Sequence, residues 1–280
     1  PKKGISRMNK ILVLAAVVAL ASCGGSQEKL VKIKTTFGDM TVLLYDEAPL
    51  HKSNFIKLAE SGEYDSTVFH RVIQGFMIQG GNLSGDLNEV EDEEKKIDAE
   101  IVEGLFHKKG ELAAARLGDD INPKKQSSGS QFYIVQGRIW SEQELTTNQV
   151  MLNQALGQLF QTPEYDTLKD SFIQLQAAGQ FEQMFQLAMR QKPLLEQKFD
   201  IDLSVEIAPE RLAAYTSVGG VPHLDGEYTI FGRVVEGLEV IDRIASVPTN
   251  VDDTPVKPIT VQMEIVKMPK TEVTEKYGYT

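Results

Sequence analysis

The chain has 280 residues, of which 41% are hydrophobic and 25% charged, with a formal net charge of −11. So acidic a balance excludes attraction to nucleic acid or to an anionic membrane surface by charge alone, and no nucleic-acid partner is expected. The length and apolar content suffice for a sizeable hydrophobic core, and a single cysteine, Cys23, excludes a disulfide framework.

Lys2, Lys3, Arg7 and Lys10 form a basic segment without an acid, and Ile11 to Ala21 is an unbroken apolar, alanine-rich run. Such a run is too short for a permanent membrane-spanning helix and has the proportions of a secretory signal, with Met8 as its expected start. Leu20-Ala21-Ser22-Cys23 follows and resembles the lipobox of bacterial lipoproteins, whose cysteine is acylated and becomes the first mature residue. The resemblance implies a lipoprotein signal peptide over 1–23, lipid on Cys23, a flexible tether over 24–29 and a cell-envelope location facing the periplasm. Without the four bases the net charge falls to about −15, so membrane attachment is expected from the lipid and not from the fold. The mature chain lacks a cysteine for a disulfide in that oxidising compartment and has to fold by its core.

From Leu30 the chain reads as β-rich. Val31–Thr36 and Met40–Tyr45 flank a Phe37-Gly38-Asp39 turn and predict a hairpin. Ala48-Pro49 opens a helix to about Ser61, with Phe55, Leu58 and Ala59 as its apolar stripe and Gly62 as its stop. Residues 69–81, Phe-His-Arg-Val-Ile-Gln-Gly-Phe-Met-Ile-Gln-Gly-Gly, alternate, turn at Gln74-Gly75 and alternate again. One arginine, one glutamine and two large apolar side chains thus share a small hairpin. A guanidinium beside an apolar patch, with neither nucleophile nor metal ligands nearby, suits chemistry that breaks no covalent bond. Asp86–Lys96 is a solvated acidic loop that lacks the alternating ligands and central glycine of a calcium loop. Gly80-Gly81-x-x-x-Gly85 lacks the lysine and the strand-to-helix setting of a phosphate loop. No metal and no cofactor are expected.

Gly110-Glu-Leu-Ala-Ala-Ala-Arg116 and Ser128-Gly-Ser-Gln-Phe-Tyr-Ile134 form a second conspicuous stretch. A helical region follows. Ser141-Glu-Gln-Glu144 has capping-box form, and Val150, Met151, Ala155, Leu156, Leu159 and Phe160 keep helical spacing. Thr162-Pro163-Glu164 starts a second helix that continues through Leu168, Phe172 and Leu175 to Gly179. A third runs from Gln180 to about Gln191, with Pro193 breaking or kinking it, and Pro209–Thr216 is a possible fourth. The spacing supports a small helical hairpin or a three-helix subdomain whose Met and Phe stripe forms its core. Then come His223-Leu-Asp-Gly-Glu-Tyr-Thr-Ile-Phe-Gly-Arg-Val234, a short helix over Leu238–Ala245 and a closing strand over Ile259–Lys267.

The run at 69–81 resembles, almost residue for residue, the signature of the cyclophilin family of peptidyl-prolyl cis-trans isomerases. The stretches at 110–116, 128–134 and 223–234 resemble that family's later motifs in the right order. The resemblance covers 30–137 and 219–268, with 138–218 as a helical insertion and 269–280 as a tail. It implies a mainly β fold: a closed antiparallel eight-stranded β-barrel capped by two helices, with the inserted helices beside it. Carried over position by position, Arg71 and Gln79 are catalytic. His70, Phe76, Met77, Gln131, Tyr133, His223, Leu224 and Tyr228 bind substrate, and Ala115 and Arg116 supply backbone contacts. His70 is expected to support its strand, since the reaction moves no proton.

The implied activity is rotation about Xaa-Pro bonds of proline-containing polypeptides, assisting the folding of exported proteins. Ala114 replaces a common Met, and Tyr133 replaces a Phe, placing a hydroxyl by the apolar pocket and narrowing substrate preference. His223 stands where many members carry a Trp that helps hold cyclosporin, so that drug is expected to bind weakly. The competing reading is a non-catalytic periplasmic chaperone, with the barrel as a passive peptide platform and the insertion holding clients.

Overall fold

The computed structural model describes residues 26–86 and 93–279. The basic segment, the apolar run and Cys23 lie outside the described residues, as do positions 87–92 of the acidic loop. The described chain divides into a main unit, Lys29–Lys267, and a terminal unit that contains residues 26–28 and 268–279.

β1 (Gln27–Thr35) and β2 (Gly38–Leu44) form the first hairpin, with Val31 opposite Val42 and Ile33 opposite Met40. These four alternate inward and are fully buried. β1 begins at Gln27, inside the span read as a tether. α1 (Pro49–Glu60) starts on its proline and buries His51, Phe55, Leu58 and Ala59, one stripe at helical spacing. β3 (Arg71–Ile73) and β4 (Met77–Gly80) are the signature hairpin. Then follow β5 (Glu111–Ala114), β6 (Phe132–Val135), β7 (Ile230–Glu236), α7 (Leu238–Ala245) and β8 (Gln262–Pro269). In the terminal unit, the Lys270–Tyr277 helix begins where the Lys270 N–H donates to the Ser26 carbonyl at 2.9 Å.

The strands form one eight-stranded sheet in the order β3-β4-β6-β5-β7-β2-β1-β8. Among the described residues no ladder pairing joins the two end strands, β3 and β8. The segments leading into β3 and β8 meet at an isolated bridge, Val68 to Thr260, supported by Phe69 N–H on the Ile259 carbonyl at 3.0 Å. Pro255 and Pro258 lie on that approach and have no N–H to donate, so pairing there stays local. Phe132 anchors the core, its ring edge-on to Phe55, Tyr64 and Phe69 at centroid distances of 5.3, 5.6 and 6.2 Å.

The helical region is built as α2 (Glu142–Leu145), α3 (Gln149–Leu159), α4 (Asp166–Ala177), α5 (Phe181–Phe199) and α6 (Pro209–Ser217). The Ser141–Glu144 capping box is present. A second core joins Leu152, Ala155, Leu156 and Leu159 of α3 to Ala188 and Leu195 of α5 and to Leu203. Val150 is exposed, because the true stripe starts two positions later. α5 does not end at Pro193. Proline inside a helix costs about 3 kcal/mol, but burying one Leu side chain returns about 1.5–3 kcal/mol. Leu194, Leu195 and Phe199 all pack beyond the proline, which itself faces solvent. The region leaves and returns through a glycine neck. Gly137 has φ of 64°, and a Cβ there would fall on the Gly220 backbone.

Candidate active site

Strand alternation decides which side chains meet. In the β3–β4 hairpin Val72 and Ile78 point into the core, which sends Arg71 and Gln79 to the opposite face. Gln79 is the register partner of Tyr133 on β6, and Tyr133 of Ala113 on β5. Arg71, Gln79, Tyr133 and Ala113 therefore form one row across four strands. The turn before Met77 is held by two donors on the Phe76 carbonyl, Gln136 N–H at 3.0 Å and Gly137 N–H at 2.9 Å.

Over this row lies a cavity of about 170 Å³. Arg71, Gln79 and Arg116 stand around it, with Phe76, Met77 and Leu224 as its apolar lining, completed by Ala115, Tyr133 and Tyr228. The volume is below the range of drug-sized sites and suits one ring-sized side chain. Gln131 stands beside it, accepting from the Gln79 amide at 3.1 Å. His223 stacks on Phe76 at 5.7 Å and 18°. His70 is not at the cavity. It is buried, with its backbone N–H on the Gln79 carbonyl at 3.0 Å. A second depression of about 640 Å³ lies beyond Gln131, lined by Asn54, Lys57, Ser84 and Lys95 among others. It is larger but lacks the guanidinium and the apolar ring lining.

The two guanidinium groups differ. Arg116 is clamped: Nε donates to the Glu227 carbonyl at 2.8 Å, one arm meets Asp119 at 2.5 Å and the other Glu227 at 3.2 Å. Its plane covers the Tyr228 ring at 4.5 Å. Arg71 is half exposed, and among the described residues its ion-pair partner is Asp253, 3.4 Å from its Nε. The Ala115 backbone is engaged internally, its N–H on Gln131 at 3.0 Å and its carbonyl under Ser128 N–H at 2.8 Å. Both backbone groups of Ala115, expected with Arg116 to contact substrate, thus already have partners within the protein.

Burial shifts three titratable groups on or near this face. Burial, with the Arg71 charge, holds His70 below the ordinary histidine value, and burial with His107 nearby does the same to His223. Burial, then Tyr228, pushes the Tyr133 phenol well above its ordinary value. Among the described residues no group of three or more His, Cys, Asp or Glu could hold a metal ion.

The Tyr133 hydroxyl, expected by the apolar pocket, is hydrogen-bonded within the protein. A buried phenol needs a partner, and this one finds His107 Nε2 at 2.9 Å, with the two rings stacked at 11°. His107 Nδ1 lies 3.1 Å from Asp225, whose carboxylate also receives the His107 backbone N–H at 2.8 Å, the Tyr215 hydroxyl and Arg211. His107, Arg211, Tyr215 and Asp253 carried no role in the sequence reading. Asp225 lay inside a recognised motif, but nothing local marked it as a hub.

The family model for cyclophilin type peptidyl-prolyl cis-trans isomerase/CLD matches residues 30–154 and 213–265. A peptidyl-prolyl cis-trans isomerase of Acinetobacter baylyi is 26% identical over 259 residues, 90% of this chain and 94% of its own. One from Dictyostelium discoideum is 42% identical over 112 residues, 39% of this chain and 69% of its own. The chain spans only 37% of the length of a Streptococcus pyogenes relative, to which it is 28% identical. A solved cyclophilin type isomerase of Cryptosporidium parvum superposes with a TM-score of 0.52, at 22% identity over 87% of this chain and 100% of that one, a likeness of fold.

Proposed function

This chain belongs to the cyclophilin-type peptidyl-prolyl cis-trans isomerase family and is an enzyme of that class, and from that premise we propose that it turns Xaa-Pro bonds in exported proteins as they fold. The observation that carries the residue assignment is the row Arg71–Gln79–Tyr133 under one small cavity that sets guanidinium and amide groups against Phe76, Met77 and Leu224.

The mechanism follows from the amide. Its partial double bond sets a rotation barrier of about 18–20 kcal/mol, and uncatalysed exchange takes roughly tens to hundreds of seconds. Bringing a ~100 s step to ~10 ms requires about 5.4 kcal/mol. In the twisted state resonance is lost and the proline nitrogen becomes a hydrogen-bond acceptor. Arg71 donates to it only then, which is selective binding of the transition state. A charge-assisted hydrogen bond contributes about 1.5–3 kcal/mol of the requirement. Phe76, Met77, Tyr133 and Leu224 hold the pyrrolidine ring still while the preceding carbonyl rotates, and the Gln79–Gln131 pair orients the guanidinium and the peptide. The backbone of Arg116 is the remaining group for the substrate chain. The test is turnover of a proline tetrapeptide by protein lacking residues 1–23. Absence of turnover in the folded protein would favour a passive peptide platform.

The cellular setting in this reading rests on Leu20-Ala21-Ser22-Cys23. Lipid on Cys23 tethers the enzyme to the cell envelope on the periplasmic side, where it meets chains emerging from export. One acyl chain binds membranes only marginally, whereas two or more hold stably. Cys23→Ala should therefore leave the protein soluble or unprocessed. Processing and membrane fractionation like the wild type would overturn the anchor.

A further inference from the structure

α6 contributes no residue to the two cores described above. Its one buried residue is Tyr215, fully enclosed, with its ring edge-on to Phe106 at 5.5 Å. The Tyr215 hydroxyl lies 2.8 and 2.7 Å from the two oxygens of Asp225, and Arg211, one turn earlier, grips the same carboxylate. The Trp140 N–H donates to the Tyr215 carbonyl at 3.1 Å, fastening the end of the helix to the chain leaving the sheet.

On its other side Asp225 holds His107, through Nδ1 at 3.1 Å and through the backbone N–H at 2.8 Å. A carboxylate only accepts, so Nδ1 donates to Asp225, and Nε2 on the far side of the ring is hydrogen-bonded to the Tyr133 hydroxyl at 2.9 Å. Burial raises the Asp225 carboxyl, but the hydrogen bonds from His107 and Tyr215 and the Arg211 charge together hold it below its ordinary value, so it stays ionised. Asp225 also directly follows Leu224. Two walls of the cavity, Leu224 and Tyr133, are thus referred to one carboxylate, and that carboxylate is set by α6.

We propose that Asp225 is a positioning residue for the isomerase reaction and that Arg211 and Tyr215 of α6 act through it, fixing the Tyr133 ring by way of His107. The inference rests on the isomerase reading and adds a role for the helix at the end of the insertion. The proline ring stays in place while the bond before it rotates, so the Tyr133 wall touches it equally in the ground and twisted states. Loosening that wall removes uniform binding, which raises KM and leaves kcat in place.

The test is steady-state turnover of a proline tetrapeptide by wild type, Tyr215→Phe, Tyr133→Phe and the double variant. Tyr215→Phe keeps the ring packed on Phe106 and removes only the hydroxyl. It should raise KM at least threefold with kcat within twofold. In the Tyr133→Phe background, where no hydroxyl remains for the relay to hold, the same substitution should change KM by less than 1.5-fold. Arg211→Met, at a partly exposed position, should raise KM in the same way and keeps the test open if Tyr215→Phe does not fold. An unchanged KM in these variants, an equal rise in both Tyr133 backgrounds, or a loss confined to kcat would overturn the coupling. A folded wild type without turnover would instead overturn the isomerase reading, and this role with it.

Discussion

Arg71 and Gln79 are register partners across the β3–β4 hairpin, so both side chains leave the sheet on the same face. Gln79 is fixed in turn by its hydrogen bond to Gln131 at 3.1 Å. The arrangement sets a loosely paired guanidinium beside an oriented amide, at the edge of a pocket the size of one ring.

Arg71→Ala should lower kcat/KM for a proline tetrapeptide at least tenfold, a loss of about 1.4 kcal/mol or more of transition-state stabilisation. Thermal stability should hardly change, because the side chain is half exposed and its ion pair with Asp253 is long. Near-wild-type turnover in the folded variant would remove Arg71 from the mechanism.

The helical segment 142–217 should be separable, but only in part. Every residue of the second core lies between Met151 and Leu203, and Thr147 and Ser204 already face each other as a bridge. Replacing 148–203 with a short Gly/Ser linker takes that core out whole and should keep tetrapeptide turnover within about fivefold, roughly 1 kcal/mol. Activity on a refolding protein should change by more than that. Replacing 139–218 also removes Arg211 and Tyr215 and should cost more tetrapeptide activity. Equal effects of the two deletions would contradict the distinction.

Acidification should destabilise the fold through its buried histidines. Burial lowers His51 against the pull of Glu100, and burial with the Arg71 charge lowers His70. As pH falls below about 6.5 the unfolded chain takes up these protons, while the folded chain resists until its own lower values are reached. The unfolded state then binds more protons, so unfolding free energy declines with pH across that window. Urea midpoints should fall from pH 7 to pH 5, and His70→Gln should make the decline shallower. A slope unaltered by the substitution would show that His70 is not one of the groups responsible.

Cyclosporin should bind weakly, because His223 supplies a small imidazole stacked on Phe76 where a larger indole is common in the family. His223→Trp should tighten binding at least tenfold in a calorimetric titration. No gain would mean that another wall of the site excludes the drug.

The site row was legible in the sequence because strand alternation has a period of two. Once residues 69–81 read as a hairpin, Arg71 and Gln79 had to share a face, and the later motifs supplied Tyr133, Leu224 and Tyr228. The stripes of α1 and most of α3 were legible for the same kind of reason, since a helix buries residues at fixed spacing. Pro193 misled because propensity is local, and the packing of Leu195 against α3 is not. The His107–Asp225–Tyr215 contacts join residues up to 118 positions apart. No periodicity records which buried polar groups will meet, because their pairing is settled only when the chain closes around them and each must find a partner. Which residues share the row and line the cavity was thus determined by local order along the chain. Which buried polar groups meet behind two of them, Tyr133 and Leu224, and that α6 reaches the same carboxylate, was decided by the tertiary structure.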